Sequence, residues 1–391
     1  MSEADLLVRV RRRLATETGV PTAAQIAAAV RAEGGLTGTD RGLELLQSLQ
    51  DDLLGAGPLA PLLRDPTVTD VLVNAPDEVW VDRGHGLEPA GVRFADDEEV
   101  RRLVARLLLP SGRRLDQAQP WVDARLPDGT RLHAVLPPIS RRATTVSLRT
   151  LGRQSFTLDD LVERGSVEPA IAAALSAIVA ARLSALVTGG TGTGKTTLLA
   201  CLLGLADPRD RVVVVEDAAE LRPACPHVVC LEARPPNVDG AGEVTMRDLV
   251  RQAMRMRPDR IVVGEVRGAE VVEMLAALNT GHEGGLSTVH ANATADVPAR
   301  LEALAGAAGL ARDALHSQVA AGVQTVIHLR RDPDGVRRVA EVAVVCRAPA
   351  GAVDVTSAVS AVRRGGTSRG PAWDALAAMT ATRGVPLPGG C

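Results

Sequence analysis

One short run of this chain is built to hold an anion. GGTGTGKT, Gly189 to Thr196, fits the pattern G-x-x-x-x-G-K-[ST] and stands between an apolar strand-like run, SALVT, and a helical run, KTTLLACLLGLA. In that setting glycines let the backbone curl until successive N–H groups face one anion, and the helix N-terminus adds the positive end of its dipole. Lys195 is the only lysine among the 44 Lys plus Arg of the chain. A guanidinium is a wide planar fork, whereas an ammonium is a compact charge on a slim stem. A loop wrapped around phosphate has room for the second and little for the first. The spacing therefore predicts ATP with Mg²⁺ on Gly189, Gly190, Thr191, Gly192, Thr193, Gly194, Lys195, Thr196 and Thr197. Lys195 would bridge the β- and γ-phosphates, and Thr196 would offer its hydroxyl to the metal.

Binding is not hydrolysis, and three further runs hold the groups that could cleave the nucleotide. VVVVEDAAEL carries Glu216, Asp217 and Glu220; RPDRIVVGEVRG carries Glu265 beside Gly264; GHEGGLSTVHAN carries His282 and His290. Read as the C-terminal ends of parallel strands, they fall on the edge where the phosphate loop must sit. Against this stand plainer readings: Glu265 as a helix cap, Glu216 and Glu220 as solvated carboxylates, His282 as a loop-stabilising group.

The elements that must position these groups can be read from the pattern. From about 155 to 346, within a domain bounded at 151–348, short apolar runs alternate with amphipathic ones, which predicts a mostly parallel sheet covered on both faces. QTVIHLRRDPDGVRRVAEVAVVCR reads as a closing hairpin turned by Asp-Pro-Asp-Gly. Residues 66–150, with VTDVLVN, EVWVDRG and RLHAVLPP around a helix DDEEVRRLVARLLL, predict a smaller α/β domain with an antiparallel sheet. Residues 1–65 read as a helical segment, with one stripe at Leu6, Leu7, Val10 and Leu14 and another in TDRGLELLQSLQDDLLGAGPLAPLL. Residues 349–391, rich in Gly, Pro, Ser and Arg around AWDALAAMTA, read as a flexible tail.

Composition narrows the partners. A net charge of −3 leaves no excess of positive charge for a polyanion, and tyrosine is absent. A nucleic-acid motor would want both charge and stacking aromatics. Five cysteines without a C-x-x-C pair predict neither a disulfide scaffold nor a structural zinc. The charged N-terminus has no signal-like run, and Ala170–Val187 is broken by Arg182, so a membrane span is not expected. A cytosolic protein is the expectation.

The four runs, in this order, resemble the secretion ATPases of type II and type IV secretion and of pilus assembly. GGTGTGKTT stands as Walker A, VEDAAEL as the acidic box, RMRPDRIVVGEVRG as the Walker B-like box and GHEGGLSTVHANA as the His box. With LPDGTRLHAVLPPIS upstream, the likeness spans about residues 66–330 and is nearest the Tad/Flp pilus assembly, conjugal-transfer-associated branch. The resemblance implies a RecA-like ATPase domain behind a smaller N-terminal domain, and a homohexameric ring at the inner face of the membrane on pilus or secretion platform proteins. It implies that Glu265 polarises the attacking water, that Glu216 and Glu220 support Mg²⁺ and that water, and that His290 senses the γ-phosphate. Arg149, Arg131 or Arg141, or Arg255, Arg257 and Arg267 near the Walker B-like box, would complete the site. Gly264 stands where other phosphate-loop enzymes carry a metal-binding Asp. A DNA-transfer ATPase, a nucleic-acid-dependent RecA-like motor and a scaffold that no longer hydrolyses are the alternatives.

Overall fold

The computed structural model describes residues 9–10, 13, 23–33, 55–84, 86–150, 156–234, 236, 241–348, 351–362 and 365–387. The chain divides into two units, Met1–Gln154 and Ser155–Cys391.

In the first unit the described elements are α1 (Ala23–Ala32), α2 (Ala60–Arg64), β1 (Asp70–Ala75), β2 (Glu78–Asp82), β3 (Leu87–Pro89), α3 (Asp97–Leu108), β4 (Trp121–Arg125), β5 (Arg131–Val135) and β6 (Thr145–Arg149). The strands form one antiparallel sheet in the order β3-β2-β1-β6-β5-β4. Alternation sets its faces: Val71, Val73, Leu132 and Leu148 turn inward, onto Val100, Leu103 and Val104 of α3. That helix starts where Asp96 accepts from the Glu99 N–H. Leu59 and Ala60 lie in the same core, so the end of the 1–65 segment packs together with β1 and α3. Leu6, Leu7 and Leu14 of the first stripe, and residues 39–54 of the second, lie outside the described residues; Val10 is buried.

The second unit begins with α4 (Leu158–Glu163) and α5 (Pro169–Ala180), then β7 (Ala185–Gly189), α6 (Lys195–Gly204), β8 (Val212–Glu216), β9 (Val228–Glu232), α7 (Met246–Ala253), β10 (Arg260–Val266), α8 (Glu270–Leu278) and β11 (Leu286–Val289). After these come α9 (Val297–Ala307), α10 (Arg312–Gly322), β12 (Thr325–Arg331), β13 (Arg337–Arg347), β14 (Val353–Ala361), β15 (Thr367–Arg369) and α11 (Trp373–Thr382). Its nine-stranded sheet runs β15-β14-β13-β12-β7-β11-β10-β8-β9. From β12 to β9 every pair is parallel, and β13 to β15 extend the sheet antiparallel. The central strands read as unbroken apolar runs because both faces are covered: one by a core of α5, α6 and α11, the other by α7 to α10.

The flexible tail expected from residue 349 is corrected here. Residues 353–361 and 367–369 are strands of the sheet, and α11 seats Trp373 and Leu376 in the core, with the Arg369 guanidinium 4.5 Å from the Trp373 ring centroid. Small side chains and scattered glycines hid strands whose inward residues find partners only once β13 is in place.

Candidate nucleotide site

The loop between β7 and α6 is shaped by three glycines in the left-handed or otherwise positive-φ region: Gly189 at 149°, Gly192 at 71° and Gly194 at 93°. At Gly189 space also decides, since a Cβ there would stand 2.5 Å from the Leu329 carbonyl oxygen and 2.7 Å from Thr193 Oγ1. Thr193 Oγ1 donates to the Gly190 carbonyl at 2.9 Å and closes the curl. Lys195, 8% exposed, donates from Nζ to the carbonyls of Gly189 at 3.1 Å and Gly190 at 2.8 Å. Burial pulls its pKa down, and the Glu265 carboxylate pulls it partly back. The ammonium thus rests inside its own loop within reach of the Glu265 field.

Register brings the acidic and histidine runs to the same sheet edge. Val289 and His328 flank Thr188, the residue before Gly189, and Val263 pairs with Val215, so Gly264 stands beside Glu216. Glu265 follows Gly264, and its Oε1 lies 2.9 Å from His290 Nε2. Both members of this pair are partly open to solvent.

Glu216 is 4% exposed. Its Oε1 accepts the N–H groups of Glu220 and Leu221, each at 3.0 Å, while Oε2 has no hydrogen-bond partner. Burial pushes its carboxyl up to about 7, against those two donors. A Cβ at residue 264 would lie 2.7 Å from Glu216 Cγ, so the glycine makes room for this glutamate from the neighbouring strand.

A buried, unpartnered carboxyl oxygen and the Thr196 hydroxyl are hard oxygen donors of the kind Mg²⁺ takes, alongside phosphate oxygens and water. Among the described residues no three His, Cys, Asp or Glu form a metal cage of their own, and a metal that arrives on a triphosphate needs none.

Residues 52–365 match the family model described as "Type II/IV secretion system protein". The chain belongs to this family. The putative conjugal transfer protein Rv3659c of Mycobacterium tuberculosis is 59% identical over 309 residues, 78% of this chain and 88% of its own length. The probable conjugal transfer protein TrbB of Sinorhizobium fredii is 33% identical over 319 residues, 80% of this chain and 93% of its own. Two solved structures share the fold: the pilus retraction motor PilT (19% identical, TM-score 0.52, 76% of this chain and 80% of that one) and the Legionella pneumophila ATPase DotB (21%, 0.50, 73% and 79%).

In this type II/IV secretion family chain, the residues read from sequence part into two groups. Lys195, Glu216, Glu265 and His290 stand at one edge of the sheet with the 189–197 loop, whereas Glu220 is exposed and touches the site through its backbone N–H. His282 lies before β11, at the end of that strand opposite to His290, with its Nδ1 3.3 Å from the Pro258 carbonyl; this favours the loop-stabilising reading. Arg267 pairs with Asp217, and Arg255 donates to the Arg251 carbonyl. Arg149 pairs with Asp70 at 3.1 Å and Arg131 with Asp123 at 2.8 Å, both within the first unit, where Arg141 is exposed.

Sequence reasoning missed the β12 side of the loop. Leu329 backs Gly189 through its carbonyl, and His328 meets Thr188. No local signal marks them, because β12 becomes the neighbour of β7 only in the folded sheet.

Proposed function

We propose that this chain binds ATP with Mg²⁺ on residues 189–197 and hydrolyses it to drive a membrane-embedded pilus assembly or secretion machine. The observation that supports this reading is the Glu265–His290 pair at the sheet edge that also carries Lys195 and the buried Glu216. Lys195 leaves the Gly189 and Gly190 carbonyls for the β- and γ-phosphates, trading two neutral acceptors for anionic ones. His290 Nε2 stands 2.9 Å from one oxygen of Glu265, and the other oxygen is left to orient water and accept its proton. Thr196 and Glu216, with Glu220 behind it, would hold Mg²⁺, which neutralises charge developing on the phosphates. Arg149, supplied by a neighbouring subunit, completes the charge. The protein works as a homohexamer on inner-membrane platform proteins at the cytoplasmic face, in the Tad/Flp-like branch, and closure around nucleotide supplies the stroke. Among the described residues no helix is long and apolar enough to cross a membrane, so attachment would run through partners.

Glu265→Gln is expected to keep ATP affinity and to lower phosphate release on the order of a hundredfold or more. Lys195→Ala is expected to lose most of the affinity for a labelled ATP. Wild-type turnover in the first variant, or wild-type binding in the second, would sink the reading. The names of the two conjugal transfer relatives favour a conjugal transfer machine as the second reading. Stimulation of ATP turnover by single-stranded DNA at physiological salt would move the assignment there.

A further inference from the structure

The polar contacts behind the phosphate loop converge on a histidine outside all four motifs. Thr188 and His328 are opposed in the β7–β12 register and buried, at 0% and 8% exposure. Thr188 Oγ1 lies 2.9 Å from His328 Nδ1. The backbone of Asn292, two residues beyond His290, faces the ring as an acceptor that favours its protonated form. Burial holds this imidazole below its ordinary pKa, against Glu341 and Asp296, which raise it, and with Arg330, which lowers it. A neutral ring has one N–H and one bare nitrogen. With its N–H turned toward the Asn292 acceptor, the ring leaves Nδ1 bare for the Thr188 hydroxyl. Next to it on β13, Glu341 accepts from Thr294 Oγ1 at 2.7 Å, a second tie to the stretch after His290.

We propose that His328 is a positioning residue that fixes the His290 loop against the phosphate loop through Thr188 and Asn292. This rests on the nucleotide reading above, and it adds what holds the two halves of that site at a set spacing. Thr188 immediately precedes Gly189, whose carbonyl receives Lys195; Asn292 follows His290, whose Nε2 stands 2.9 Å from Glu265. A loosened ring would leave the anion cradle intact and let the water-orienting pair drift, and a shift of about 1 Å in such a pair costs up to a hundredfold in rate. The loss would fall on turnover and spare binding.

The test uses the full-length protein and four variants: His328→Leu, His328→Gln, Thr188→Val and the double variant Thr188→Val with His328→Leu. The glutamine amide has an acceptor and a donor to replace those of the ring. His328→Leu is expected to lower kcat about ten- to a hundredfold with KM and ADP affinity within about threefold. Amide exchange over residues 290–294 rises in the same variant without nucleotide. His328→Gln recovers most of both, and the double variant is no worse than His328→Leu, since both changes cut one connection. Unchanged exchange over 290–294 overturns the proposal, as do equal losses in kcat and ADP affinity, a glutamine variant no better than leucine, or additive losses. If His328→Leu does not fold, Thr188→Val, which removes one hydroxyl, carries the same comparisons. A wild-type protein that releases no phosphate from ATP defeats the hydrolysis reading alone, and the exchange measurement still decides on His328.

Discussion

At Gly264 and Glu216 two neighbouring strands share room for one side chain. A methyl group at 264 would press on the Glu216 Cγ, so Gly264→Ala is expected to destabilise the protein by about 1–3 kcal/mol. Calorimetric unfolding reads that loss directly. Glu216 itself gives stability a pH dependence. Its folded pKa of about 7 is above the ordinary 4.5, so the fold favours the acid form. The contribution is complete below about 4.5 and fades as the pH climbs through 7. Compared with Glu216→Gln, the nucleotide-free wild type should lose on the order of 3 kcal/mol between pH 4.5 and 8. Denaturant titrations of the two proteins across that range measure the difference, and parallel curves would refute it.

At the level of elements, β14 covers β13, and α11 covers the core beneath β14. Ending the chain at residue 348 would bare Val342, Val344 and the whole outer edge of β13, an open strand edge of the kind that aggregates. Loss of soluble protein, or a melting temperature lower by about 10 °C or more, is the expected result. The same elements show what a sequence can reveal. β7, β8, β10 and β11 are buried on both faces and read as apolar runs; the glycine-rich loop, the acidic strand ends and His290 follow from residue types at fixed spacing. α10, β14 and β15 escaped because Ala, Ser, Thr and Gly give weak periodicity. The sequence TVIHL showed a histidine in an apolar strand, and nothing in it tells that Thr188, 140 residues away, waits beside the ring.

For the whole molecule, the proposed ring makes turnover a collective property. Phosphate release per chain should climb with protein concentration over the range in which sedimentation shows the hexamer forming, and a flat dependence with monomer would remove the ring. A protease that cleaves only after lysine has a single scissile bond in all 391 residues, Lys195–Thr196. That bond opens α6, and the side chain such an enzyme must grasp is tied to the carbonyls of Gly189 and Gly190. The native molecule therefore carries a padlocked cutting point near its middle. The rate at which it splits into 1–195 and 196–391 would time how often the cradle lets its lysine out.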